Sequence, residues 1–197
     1  MKQEISNRFD LNIDRVKNLV KIYQLQLSGA GKGRRSHRET DVLRAATVLL
    51  HASIEDVLRS LAYWKLPDAS SNVLEAIPLA GGTASKFHLG TLASHRGKTV
   101  AEVIKESVDA NLERSNYNNP SEVVALLKSI GLNTDPLTLH LPKLEMTMKR
   151  RHQIVHRADA NPNPGSGNHR VLSIGPATLD DWIQNVEEFI AAVLAQV

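Results

Sequence analysis

The chain reads as an all-α fold, a bundle of about four to six helices joined by long loops. Three observations lead there. Apolar residues recur at spacings of three and four through most of the sequence, several of the segments that carry them open with helix-capping patterns, and no series of alternating runs points to a parallel sheet.

The elements follow in order. Phe9, Ile13, Val16, Val20, Tyr23 and Leu27 fall on one helical face, and Ser28-Gly29 ends that helix. Ser36-His37-Arg38-Glu39 has the form of a capping box, in which serine and glutamate satisfy each other's exposed backbone N–H groups. From Thr40 to Leu66, residues such as Leu43, Ala46, Leu50, Ile54, Val57, Leu58 and Leu61 cover more than one face, the pattern of a central, buried helix. Pro67 and Asp68-Ala69-Ser70-Ser71 stop it, and an irregular insert runs from about 67 to 97, with Pro78 and Gly81-Gly82.

Thr99-Val100-Ala101-Glu102 is a second capping box, opening a helix through Val103, Ile104, Val108 and Leu112. Asn119 caps a short helix from Pro120 to Gly131, proline at its start and glycine at its end. A third long helix spans roughly Pro142 to Asp159. The last opens at Thr178-Leu179-Asp180-Asp181 and turns Leu179, Trp182, Val186, Ile190, Val193 and Val197 toward the core. Between these two, a stretch rich in asparagine, proline and glycine predicts a mobile loop at about 160–177. Short strands near Phe87-His88-Leu89 or Val171-Leu172-Ser173-Ile174 stay open at this point.

Composition bounds the function. A length of 197 residues with 42% hydrophobic content predicts one domain over residues 1–197. The absence of cysteine removes disulfide scaffolds, thiolate metal sites and cysteine nucleophiles, and suits a cytoplasmic protein. No apolar run reaches the length of a membrane span, so no membrane partner is expected. A formal charge of +3 permits contact with phosphates, while 4% aromatic residues is too few for a platform that stacks single strands.

The densest chemistry lies at Lys149-Arg150-Arg151-His152-Gln153-Ile154-Val155-His156-Arg157-Ala158-Asp159. At about 100° per residue, Leu144, Met148, Arg151 and Val155 form one stripe, so a guanidinium interrupts an apolar face and needs a partner. His152 and His156 lie one turn apart beside that stripe, with Asp159 near them by angle. Transesterification of RNA calls for a base, an acid and a cation for the phosphorane oxygens, and histidine with arginine supplies them at neutral pH without a metal. Basic residues at the end of a helix also answer the macrodipole, a purely structural role of comparable weight.

Other patterns carry less. His152 and His156 have the ligand spacing of a zinc protease helix, but Gln153 stands where the general-base glutamate must be, and no metal or other cofactor is expected. Gly29-Ala30-Gly31-Lys32-Gly33 lacks both the earlier glycine, where Gln26 stands, and the hydroxyl residue of a phosphate loop. With Arg34, Arg35, His37 and Arg38 it reads as a basic interhelix segment. His51 and Glu55 sit one turn apart on the central helix, where a carboxylate could reach Arg151 across the bundle or simply serve the helix. His88, His95 and His140 have no second ligand at metal-site spacing.

Arg151-His152-Gln153-Ile154-Val155-His156 resembles the R-x4-H motif of the HEPN superfamily, with a polar residue after the arginine. Asp41 to Leu58, the helix entry Arg96-Gly97-Lys98-Thr99-Val100 and the run from Arg151 to Asp159 look like the RiboL-PSP group of that superfamily, over most of the chain. The resemblance implies a helical bundle that pairs about a two-fold axis into a homodimer, with RNA cut without metal in the shared cleft. Carried onto this chain, Arg151 would hold the scissile phosphate, His156 would transfer protons, and His152, at the variable polar position, would orient the site. Arg150, Arg157, His169 and Arg170 are further candidates for RNA contact. The implied function is an endoribonuclease, such as the toxin of a toxin–antitoxin or antiviral defence system with an antitoxin or other neutralising partner. The alternative is a HEPN module that binds RNA or protein without cleavage.

Overall fold

The helix expected at the centre runs His37–Lys65 and is labelled α2. In the computed structural model, which describes residues 1–29, 37–81, 89–162 and 171–197, it packs against five other helices. These are α1 (Lys2–Ile22), α4 (Val100–Arg114), α5 (Pro120–Ser129), α6 (Leu141–Arg157) and α7 (Pro176–Leu194). A single helical turn, α3 (Ser71–Leu74), completes seven α-helices among the described residues.

Burial follows the periodicity. Leu43, Leu50, Ile54, Val57, Leu58 and Leu61 of α2 have no exposed surface, and Leu144 of α6 with Leu179, Val186 and Phe189 of α7 close around them. Each fully buried side chain of this size contributes about 1.5–3 kcal/mol, so the placement of α2 is strongly determined.

Several helix ends form as the sequence predicts. At α4 both bonds of the capping box are made, Glu102 N–H to Thr99 Oγ1 at 3.3 Å and Thr99 N–H to Glu102 Oε2 at 2.7 Å. At α5 the Asn119 side chain accepts from the Glu122 N–H at 2.9 Å. Gly131, with φ of +81°, makes the left-handed turn beyond its end.

Other boundaries differ. The first helix begins seven residues before Phe9, since Ile5 also reaches the core, and it ends in a π-helical turn, Tyr23–Leu27. The Ser36 end of the first predicted capping box lies outside the described residues, as do Phe87 and His88. The insert expected to be irregular holds 3-10 turns at Leu66–Asp68 and Leu89–His95 besides α3. The last helix starts at Pro176 with Gly175 before it, so Thr178 is no cap. Residues 171–174 form no strand but a single antiparallel bridge between Ala160 and Val171. That bridge joins both flanks of the loop predicted to be mobile; the middle of that loop lies outside the described residues.

Candidate active site

Helix α6 is fixed at both ends by polar contacts that local sequence does not reveal. At its start the His140 ring bonds to Asn185 Oδ1 of α7 at 3.1 Å, and Asn185 Nδ2 donates to the His140 carbonyl at 3.2 Å. Leu144, Thr147 and Met148 then bury one face. The helix stops at Arg157, two residues short of the expected Asp159, because Ala158 and Asp159 both take left-handed backbone, at φ of 48° and 57°. Two such residues without glycine cost about 1–3 kcal/mol each, so something must hold them there.

That something is Asp159. Its side chain is completely buried, and Oδ2 accepts from Arg44 Nε and from Arg150 Nη2, each at 2.7 Å. Arg44 Nη2 reaches the Leu172 carbonyl at 2.9 Å, and Arg150 Nη2 reaches the carbonyls of Leu172 and Ser173 at 3.1 Å. Arg44 also bonds to Thr40 Oγ1 at 2.7 Å and Asp41 Oδ1 at 3.1 Å. The latch therefore joins α2, the end of α6 and the segment that leads into α7.

This changes two expectations. Asp159 does not border the histidine groove; the left-handed turn carries it off the helix and into the core. Arg150, expected to touch RNA, is a half-buried structural cation, and burial pulls its guanidinium below its ordinary proton affinity, with Asp159 opposing and Arg44 adding to the effect.

One residue further on, Arg151 points elsewhere. It is half-buried, and Nη1 donates to Asn118 Oδ1 at 3.4 Å, across the linker between α4 and α5. Asn118 is itself held by its backbone N–H, which donates to Glu122 Oε2 at 2.9 Å. The apolar stripe around Arg151 is only partly an interior one: Leu144 and Met148 are buried, while Val155 is 48% exposed.

His51 of α2 lies within electrostatic reach of Arg151. It is buried, with Nδ1 at 3.9 Å from Glu55 Oε2 and neither ring nitrogen in good hydrogen-bond geometry, although the Tyr117 backbone lies within reach of the ring. Burial pushes its imidazole below the ordinary value; Glu55 opposes this and the Arg151 charge adds to it. Glu55 thus faces His51 instead of forming a direct ion pair with Arg151.

His152 and His156 are exposed, their ring centroids 4.5 Å apart and tilted by 42°. Arg157 is exposed beside them. The end of α6 consequently presents a guanidinium wedged at a seam and two imidazoles open to solvent, the residue types that phosphate binding and proton transfer require. His169 and Arg170 lie outside the described residues.

Of the remaining histidines, His95 bonds to the Ala80 carbonyl at 3.1 Å and stands 3.8 Å from Glu106, a structural setting away from this end. Among the described residues no three histidine, aspartate or glutamate side chains converge as a metal site would need, and no helix is long and apolar enough to cross a membrane.

Sequence reading passed over Arg44 and Asn118. Arg44 had a signal: Thr40, Arg44, Thr47 and His51 repeat at spacings of four, three and four, and all are buried. A polar stripe at core spacing on the central helix marks where a polar partner must pack. Asn118 lies in a linker, and only the packing of that linker against α6 gives it a role.

The model of the RiboL-PSP-HEPN family matches residues 10–196, which takes in every element of this site. Comparison with curated proteins and with solved structures finds no match.

Proposed function

From the premise that the chain belongs to the RiboL-PSP-HEPN family, we propose that it is a metal-independent endoribonuclease that cuts RNA by attack of the substrate's own 2′-hydroxyl. The observation that carries this reading is the division of labour at the end of α6. Arg150 is consumed by the latch, whereas Arg151 keeps a free edge and the two imidazoles stand open beside it.

In the proposed reaction the 2′-oxygen bonds to phosphorus and the bond to the 5′-oxygen breaks. A base removes the 2′-hydroxyl proton and an acid returns one to the leaving 5′-oxygen, so the products are a 2′,3′-cyclic phosphate and a 5′-hydroxyl. His156 transfers protons, Arg151 neutralises the non-bridging oxygens, and His152 orients the pair. Arg157 is retained as an outer phosphate contact. Exposed Val155, inside the motif itself, supports a homodimer whose two motifs share one cleft. A role as a toxin held in check by a neutralising partner is proposed on family analogy alone.

The test is incubation of purified protein with RNA in excess chelator, beside His156→Ala and RNA carrying a 2′-deoxy residue at the cut site. Expected are cyclic-phosphate ends, loss of about 10²–10⁴ in rate for the variant, and a bound but uncut deoxy strand. Equal cutting of the deoxy strand, or cutting that requires added metal, removes the mechanism. Binding without any cutting leaves the RNA-binding module as the function.

A further inference from the structure

Arg150 Nε and Asp159 Oδ1 are buried without a partner inside the latch, where each residue makes other bonds, and a second pair of orphaned groups, from Arg151 and His51, stands on α6 and α2. The Nε of Arg151 is buried with no hydrogen-bond partner, and so are both ring nitrogens of His51. Buried polar groups are nearly always bonded, and exceptions mark strain, an unseen water or a catalytic role. The two orphans are also complementary: Nε–H is a donor, and a neutral imidazole always offers one bare nitrogen as acceptor.

The other members of the α2 stripe do not share this condition. Thr47 donates to the Leu43 carbonyl, and Arg44 is held by Asp159. His51 is therefore the point on that stripe where polarity is buried but unspent.

We propose that His51 is the positioning residue of Arg151: its neutral imidazole accepts the Arg151 Nε–H through one water, and so fixes which edge of the guanidinium meets a phosphate. The inference rests on the reading of Arg151 as the phosphate-binding group. Three groups face the ring, Glu55 from its own helix, Arg151 from α6 and the Tyr117 backbone from the linker before α5. A protonated His51 would lose its acceptor and repel Arg151. Only the neutral form performs the role, and burial favours that form.

The test has two arms in the full chain. In the first, the ¹⁵N resonances of the His51 ring are followed against pH in the wild type and in Arg151→Met, and the titration midpoint is expected to rise in the variant. In the second, His51→Leu and His51→Gln are compared for cleavage and for affinity toward RNA with a 2′-deoxy cut site. His51→Leu should keep its helical circular dichroism and lose on the order of tenfold to a hundredfold in kcat/KM, with weaker binding of the uncleavable strand. His51→Gln, whose amide oxygen can accept, should recover part of both. An unmoved titration midpoint, or a folded His51→Leu with wild-type affinity and cleavage, overturns the proposal. If the wild type binds RNA but cuts none, the ribonuclease reading falls while titration and affinity still decide the role of His51. If His51→Leu fails to fold, the titration arm decides alone.

Discussion

Replacing Asp159 by alanine leaves two guanidiniums facing each other across a buried site. Arg44 and Arg150 have side chains only 9% and 15% exposed, and Asp159 supplies the one carboxylate oxygen they share. Breaking a buried pair by removing one partner costs about 3–5 kcal/mol, because the remaining charge has lost its compensation. The lower end applies here, since Arg44 keeps Thr40, Asp41 and the Leu172 carbonyl, and Arg150 keeps the carbonyls of Leu172 and Ser173. A domain of this size moves by roughly 2–4 °C per kcal/mol, so the expected fall in Tm is about 6–12 °C. Calorimetry with urea unfolding measures it. A companion variant that replaces Arg44 and Arg150 by Met and Asp159 by Leu should recover much of the loss, because apolar groups of similar volume can replace buried ions at little net cost. A fall below about 1 kcal/mol for Asp159→Ala would show that the latch does not hold the α6 terminus, and the account of the left-handed turn would fail with it.

Three further outcomes follow from the same geometry. Ala158→Gly relieves a left-handed backbone that costs alanine about 1–2 kcal/mol, less the roughly 0.4–1 kcal/mol that glycine loses through unfolded-state entropy, so Tm should rise slightly; a lower Tm contradicts the strain argument. Arg151→Lys should leave Tm nearly unchanged and weaken cleavage strongly, since an ammonium cannot bind two phosphate oxygens as a planar fork does; near-wild-type rates would demote Arg151 to a packing residue. The depressed affinity of His51 for a proton makes stability fall on the acid side: below the ordinary imidazole value of 6.5 the unfolded chain takes up a proton that the native state refuses. That contribution is present above 6.5 and is lost as pH drops toward the folded-state value, at up to about 1.4 kcal/mol per pH unit. Denaturant titrations of His51→Leu should show a flatter acid limb, and an unchanged slope would refute the assignment.

Sequence by itself determined the all-α fold, the central position of α2, the caps of α4 and α5 and the composition of the α6 terminus. These follow from periodicity and from residues that satisfy their own backbone within three or four positions, so the physics is local and visible in the chain. The R-x4-H run was equally legible, and it placed Arg151, His152 and His156 together because one helix carries all three. The motif already singled out Arg151, but only the tertiary structure shows that Arg150 is tied to Asp159. The two arginines are neighbours of the same type, 100° apart on the helix, and which one faces a buried carboxylate depends on where α2 sets Arg44 and on the turn that carries Asp159 inward. It likewise paired Arg151 with Asn118 and set it beside His51, contacts made across 33 residues for Asn118 and across a helix–helix seam for His51. A side chain's partner at such a distance depends on packing that no local pattern encodes, and the sequence shows only that a buried polar residue must have one.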